Sequence, residues 1–492
     1  MRAPRGVALG LIASFVAGVV ANGECEMSDA AADTARPGGS SEREPESPRL
    51  APYATLTLAG GLLAHAFVGE FLIVQSPRVV RVYRFPAKDR FDSSPVSTFR
   101  VAAPPSVAPS KLRIVSASTP RNQCSDLRRH KVVAMAGGGG ATCLLRLDPR
   151  GQLSFLADVQ LEGAERTWPI AGANTRGRIL VGGESDAGEP YWGVASTSCD
   201  DLWFAESPVD SLRLPLGAIR LSGEFTPSGD HVVLAISTEP RADGDLSVTE
   251  VFALDKDVGS ITESHHILYG HESVSSSDGS RLLNLLQLPD RSIVSLRALD
   301  QDGMPMLERV TLRTVHDIQR FDNAGGYVVF RARGMLECYT TPSSGRMELI
   351  DKRSLAGCRH RHRASAPARW YLFGVETLDI VTLGPNGRFQ ARSIRLEVAR
   401  ELLEFIGSVE AGAGDRFFAV TAPDSALIGI FEIDDRSTRL VHAPEAGERR
   451  TWLGFSPDGY FGLVGAGLAR HGNIERPERI EVLALSQSSS GR

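Results

Sequence analysis

The chain has 492 residues, 42% of them hydrophobic and 23% charged, with a formal net charge of −5. That balance is ordinary for a globular protein and excludes a global electrostatic draw toward nucleic acid. Six cysteines are too few for a disulfide scaffold of this length.

Export signals come first. Arg2 and Arg5 form a positive start, and Val7 to Val20 is apolar. Ala21-Asn22-Gly23 offers small residues where a signal peptidase reads, so cleavage is expected after Gly23. The apolar run, about 14–16 residues, falls short of the ~20 that a bilayer core needs, which disfavours a retained anchor. Cys25 raises a lipid-anchored alternative, but Glu24 stands where a lipidation site would carry Gly, Ala or Ser. Removing residues 1–23 takes the net charge to −7. No later stretch is long and apolar enough to span a membrane. The expected location is therefore periplasmic or secreted.

Residues 24–50 read as a disordered acidic leader, with seven acidic against three basic residues and no apolar period. From Tyr53 to Leu485 short runs of Val, Ile, Leu, Phe and Tyr alternate with turns rich in Gly, Pro, Asp and Ser. This texture predicts an all-β domain over residues 51–486, followed by a short disordered tail, 487–492. Glu397 to Phe405 is the best helix candidate. Roughly 430 residues are too many for one sandwich core, so a repeat architecture is expected.

A repeat is visible in two marks. The first is a turn leading into an apolar strand: Thr226-Pro227-Ser228-Gly229 before Val232-Val233-Leu234, Ser276-Ser277-Asp278-Gly279 before Leu282-Leu283, Asn323-Ala324-Gly325-Gly326 before Tyr327-Val328, and Ser456-Pro457-Asp458-Gly459 before Tyr460-Phe461. Such turns suit Pro and Ser early and Asp-Gly late. The second mark is a hairpin further on. Leu144–Leu147 turns at Asp148-Pro149-Arg150-Gly151, Leu296–Leu299 turns at Asp300–Gly303, and Ile380–Leu383 turns at Gly384–Gly387. Val251–Leu254 and Ile430–Ile433 end at Asp255 and Asp434. Tyr83–Phe91 and Val194–Phe204 are the weakest hairpins. The spacing, about 40–50 residues, is that of a four-stranded propeller blade.

The fragment Phe455-Ser456-Pro457-Asp458-Gly459 resembles the repeats of bacterial exported propellers of the TolB-like and YVTN-like kind. Gly270-His271 before Ser277-Asp278-Gly279 resembles the opening of a WD repeat, but the closing Trp-Asp of that family is missing. The resemblance implies a single β-propeller of four-stranded blades. Eight blades fit best, with seven to nine allowed, the ring being closed by pairing Tyr53–Leu58 with Ile480–Leu485. It implies a fold and no catalytic residue.

Candidate sites follow from the fold. The inner strand of each blade begins at one rim near the central channel, so residues just before the turn motifs are expected to gather there, and His271, His316, His360, His362 and His442 fall near such positions. In Cys358-Arg359-His360-Arg361-His362-Arg363 an extended chain puts Cys358, His360 and His362 on one face and Arg359, Arg361 and Arg363 on the other. The first face could begin a zinc or copper site; the second suits an anionic ligand. The bland alternative is a solvated loop. Cys124 with Cys143 and Cys338 with Cys358 are the disulfide candidates, each closing a loop of about 20 residues and contributing roughly 3 kcal/mol. Their alternative is buried thiols. Gly137–Gly140 lacks the Lys and helix start of a phosphate loop and reads as a turn. Asp243-Gly244-Asp245 reads as a turn rather than a calcium site. The five Trp, at 168, 192, 203, 370 and 452, read as blade packing rather than a sugar platform.

The leading expectation is an exported binding or scaffold propeller of the cell envelope, a monomer without cofactor that engages a protein, peptide or glycan through one rim. The alternative is a propeller enzyme of hydrolase or lactonase type with a metal in its channel. A third reading is a structural remnant of such an enzyme.

Overall fold

Apolar runs become strands where neighbouring sheets cover their faces. The computed structural model describes residues 50–485 except 86–90, 119–129, 174–176, 197–210, 214–217, 239–246, 255–260, 271, 277, 300–303, 323–325, 333, 342–345, 357–359, 364–368, 375, 397–405, 435, 446 and 472–473. The leader, the tail and the helix candidate Glu397–Phe405 lie outside the described residues. Among those described there is no α-helix, only the 3-10 turns Pro109–Lys111 and Ala413–Asp415.

Nine four-stranded antiparallel sheets follow one another along the chain. The first strand, β1 (Ala54–Thr57), is held over for the last sheet. Blade 1 is β2 (Ala64–Val68), β3 (Phe71–Ser76), β4 (Val79–Arg84) and β5 (Ser97–Arg100). Blade 2 is β6 (Ile114–Ser118), β7 (Lys131–Ala136), β8 (Thr142–Leu147) and β9 (Leu153–Val159). Blade 3 is β10 (Arg166–Gly172), β11 (Arg178–Glu184), β12 (Pro190–Ser196) and β13 (Ser211–Arg213). Blade 4 is β14 (Ala218–Phe225), β15 (His231–Thr238), β16 (Ser247–Leu254) and β17 (Ile261–Tyr269). Blade 5 is β18 (Glu272–Ser275), β19 (Arg281–Gln287), β20 (Arg291–Ala298) and β21 (Met306–Arg313). Blade 6 is β22 (Val315–Asp322), β23 (Tyr327–Ala332), β24 (Met335–Thr340) and β25 (Leu349–Ser354). Blade 7 is β26 (His360–Arg363), β27 (Arg369–Phe373), β28 (Thr377–Leu383) and β29 (Phe389–Arg395). Blade 8 is β30 (Ser408–Ala411), β31 (Phe417–Thr421), β32 (Leu427–Ile433) and β33 (Thr438–His442). Blade 9 is β34 (Thr451–Phe455), β35 (Phe461–His471) and β36 (Ile474–Ala484), with β1 as its fourth strand. There Ala54 pairs with Val482 and Thr57 with Arg479.

This is an all-β propeller of nine blades, where the turn and hairpin pattern favoured eight. The undercount arises in blade 6. Its β24–β25 connection, Thr341 to Glu348, carries Pro342-Ser343-Ser344-Gly345 in its sequence, but β25 is largely polar, so the apolar run that marks a hairpin's second strand is missing. Blade 9 also hides its fourth strand at the other end of the sequence.

The core is a series of apolar layers between blades. In β3, Leu72 and Val74 pack with Phe461 and Val482 of blade 9, while Phe71 and Ile73 pack with Val133 and Met135 of blade 2. In β27, Trp370 and Leu372 face blade 6, and Tyr371 and Phe373 face blade 8. The same alternation recurs at the remaining joints. A strand covered on both faces needs apolar residues at every position, hence the continuous runs rather than strict alternation. Polar latches add to the layers. Gln75 donates from Nε2 to the Ala136 carbonyl at 2.7 Å, and the buried Arg178 donates to the Gly229 carbonyl at 2.6 Å.

Candidate binding rim and channel

First strands of neighbouring blades lie side by side around the axis, β2 beside β6, β6 beside β10, and β18 beside β22. They all begin at one end, here the leading rim, and finish at the turn motifs of the other, the trailing rim. Those motifs are closed by their own side chains. Ser456 Oγ donates to Asp458 at 2.5 Å and accepts from the Phe461 N–H at 3.0 Å. Ser276 and Asp278 repeat this at 2.6 Å.

Polar side chains on the first strands tie one blade to the next. A carboxylate oxygen of Glu272 in β18 accepts the Ile318 N–H of β22 at 2.8 Å. Gln319 in β22 accepts the Trp370 indole N–H at 3.3 Å. Glu410 in β30 accepts both the Trp452 indole N–H at 2.8 Å and the Phe455 N–H at 3.3 Å. His65 in β2 meets the Leu453 carbonyl of β34 through Nε2 at 2.7 Å; as that partner is an acceptor, Nε2 donates. Glu224 in β14 accepts from Ser275 of β18.

Two of these groups titrate abnormally. Burial raises the Glu224 carboxyl above the ordinary range, the Ser275 bonds opposing it, although the side chain stays exposed. Burial lowers the half-exposed His65, and its backbone bond to Leu453 opposes that. In both, the surrounding protein disfavours the charged form.

Between blades 2 and 3 the contact is backbone on backbone. The Ser118 N–H donates to the Ala173 carbonyl at 3.2 Å, and the Gly177 N–H to the Ser118 carbonyl at 2.7 Å. A Cβ on Gly172 would stand 2.1 Å from the Ser116 carbonyl oxygen. The four-glycine run has the same purpose. A Cβ on Gly140 would stand 2.2 Å from the Glu165 carbonyl, and one on Gly138 2.8 Å from that of Ala103. Gly138 and Gly140 thus stand where neighbouring backbone leaves no room for a side chain.

The residues singled out from sequence distribute unevenly. His271, Arg359, Cys124 and Cys358 lie outside the described residues. His360, Arg361, His362 and Arg363 form β26, paired with Phe373, Leu372, Tyr371 and Trp370. His316 is exposed near the start of β22, and its carbonyl accepts from Gln287. The starts of β18, β22 and β26 therefore belong to three successive first strands. His442 does not join them: it lies in β33, a fourth strand, buried at 3% exposure, its Nδ1 3.3 Å from the Leu50 N–H. Its apolar neighbours in the strand drew it inward. Cys143 and Cys338 are thiols inside the apolar layers. Burial pushes each up to about 12, aided by Asp158 and Asp351 respectively. Among the described residues no three His, Cys, Asp or Glu side chains group as metal ligands. Trp168, Trp192, Trp370 and Trp452 lie in or against the layers between blades. Glu272, Gln319, Glu410 and His65 escaped sequence reasoning. Their only local signal is a polar residue in a short strand just before a turn.

No family model matches the chain, and no curated protein does. Solved structures resemble it in fold. A Bacteroides fragilis NCTC 9343 protein assigned as a 6-phosphogluconolactonase shows 14% identity over 59% of this chain and 87% of its own, with a TM-score of 0.34. The Dos1 propeller shows 12% identity over 63% of this chain and 75% of its own, with a TM-score of 0.37. Among the described residues no helix is long and apolar enough to cross a membrane.

Proposed function

We propose that the chain is an exported binding or scaffold propeller of the cell envelope, engaging a protein, peptide or glycan through its leading rim. The observation that carries this reading is the use made of the first-strand polar groups. Glu272, Gln319, Glu410 and His65 hold neighbouring blades rather than standing ready for chemistry. A frame tied in this way presents its loops rigidly, which lowers the ordering cost of binding. The ring is closed by β1 against β36, a reading supported by the apolar cluster that Leu56 and Val482 share with Leu72 and Tyr83 of blade 1. Export is supported by Arg2, Arg5, the apolar run and Gly23, with a periplasmic or secreted destination.

Photo-crosslinking in cells tests the reading. A crosslinker replacing the exposed His316 at the leading rim is expected to capture an envelope partner. One replacing Arg150, in the β8–β9 turn of the trailing rim, is expected to capture none. Equal capture from both rims, or stoichiometric zinc or copper in the purified chain, would overturn it, the metal in favour of a channel enzyme.

A further inference from the structure

Blade 9 carries a hairpin that outruns its sheet. Strands β35 and β36 have eleven residues each, and no other described strand exceeds nine. β34 stays beside β35 only as far as the Thr451–Gly465 pair, and β1 beside β36 only as far as Thr57–Arg479. Further out, Leu468 faces Pro477, Ala469 faces Arg476 and Arg470 faces Glu475. Second strands run toward the leading rim, so this arm extends past it by about four to six residues, roughly 13–20 Å.

The arm is held at its base. Gly467 has a φ of 65° where the arm leaves the sheet. A Cβ on Gly465 would stand 2.6 Å from Cγ of Pro477. Glu475 reaches Arg449 at 3.3 Å, and Arg449 reaches Asp424 of blade 8 at 2.8 Å.

Its two edges differ. On the β36 side the Pro477 carbonyl accepts the Leu62 N–H at 2.8 Å, and the Glu478 carbonyl accepts the Leu58 N–H at 2.7 Å. Pro477 has no N–H and its carbonyl is turned away from β35, so it exchanges no ladder bond with Leu468. Leu468 therefore aims its own N–H and C=O away from β36, and Arg470, two residues on, does the same. Among the described residues nothing pairs with either of them on that side.

We infer that this open edge of β35 pairs with the same edge of a second copy, joining two propellers arm to arm. An antiparallel match centred on Ala469 sets Leu468 opposite Arg470 of the partner subunit, and Arg470 opposite Leu468 of the partner subunit. Each such pair exchanges both backbone bonds, so the open groups of both arms are satisfied. Ala469 then meets Ala469 of the partner subunit at a pair without bonds, where Cα atoms are about 4.5 Å apart and a small side chain suits. Residues 467–471 of the arm are centred on Ala469, so a copy turned by a two-fold axis fits the stretch end to end. An edge this short buries far less than the about 1,200 Å² of a stable interface, so the association is weak and rises with concentration. The inference goes beyond the binding reading, and it makes the expected monomer the dilute form.

Cysteine pairing tests it on the purified full chain. Ala469→Cys is expected to form a disulfide between copies under mild oxidation, because Cα atoms about 4.5 Å apart lie within the range a disulfide spans. Arg470→Cys, set opposite Leu468 of the partner subunit, is expected to link at least about tenfold more slowly. Mass spectrometry of the linked peptides separates these bonds from those of the natural cysteines. Sedimentation equilibrium of wild type is expected to show a dimer fraction that grows between about 10 and 500 µM. Arg470→Pro removes an edge N–H and no bond within the arm, so it should abolish that growth with melting unchanged. If Arg470→Pro melts early, the cysteine variants decide, since they leave the backbone intact. Linkage no faster at position 469 than at 470, or a wild type that stays monomeric throughout, would overturn the inference. Linkage of Ala469→Cys to another protein in preference to itself in cell extract would overturn it as well, in favour of a foreign strand on the same edge.

Discussion

Glu410 ties blade 8 to blade 9 by two hydrogen bonds, and its removal should be costly. Trp452 and Phe455 are each 8% exposed, so water cannot readily replace the carboxylate that accepts their N–H groups. Glu410→Ala leaves two enclosed donors without an acceptor, at about 1–3 kcal/mol each, or about 2–6 kcal/mol together. Glu410→Gln keeps one carbonyl oxygen but turns an amino group toward the other donor, so about 1–2 kcal/mol is expected. Urea unfolding followed by tryptophan fluorescence measures both, and Trp452 reports directly on the joint. If Glu410→Ala unfolds within about 0.5 kcal/mol of wild type, the first-strand ties do not hold the blades, and the scaffold argument loses its main support.

Gly172→Ala should cost about 3 kcal/mol or more in the same assay, because its Cβ would meet the Ser116 carbonyl at 2.1 Å across the blade 2–3 joint. His65 predicts an acid-side loss of stability. Its folded pKa lies below 6.5, so its contribution is complete above pH 6.5 and falls away as pH drops through the folded value. His65→Gln should flatten that part of the stability–pH curve, and an unchanged slope would contradict the assignment. Cys143 and Cys338, raised to about 12, should resist alkylation at pH 8 in the native chain and react at once in urea without reductant. Labelling in urea only after reduction would instead show that both are held in disulfides.

The fold was legible where burial imposes a repeating demand. Second strands such as β3, β7, β23 and β27 lie between two apolar layers, so their runs stand out in any window. The Ser-x-Asp-Gly turns stood out as well, since each satisfies its own polar groups within a few residues. Fourth strands were harder. In β25, Leu349-Ile350-Asp351-Lys352-Arg353-Ser354 has one face in solvent, and only its first two residues are apolar. The site was least legible of all. Glu272 looks like any surface acid until Ile318, 46 residues away, supplies its partner. His442 misled for the opposite reason: its distance from a turn suited a first strand, but the preceding Leu440 and Val441 belong to a fourth.

The pairing of Ala54 with Val482 has a kinetic meaning. Blade 9 cannot be completed until both ends of the domain are present, so no truncated chain can form it. Contacts this distant in sequence fold slowly. Until β1 docks, β36 keeps an unpaired edge, and an open edge of that kind is where another chain can add a strand. The opening segment of the domain is thus also the cap that keeps one copy from templating on the next.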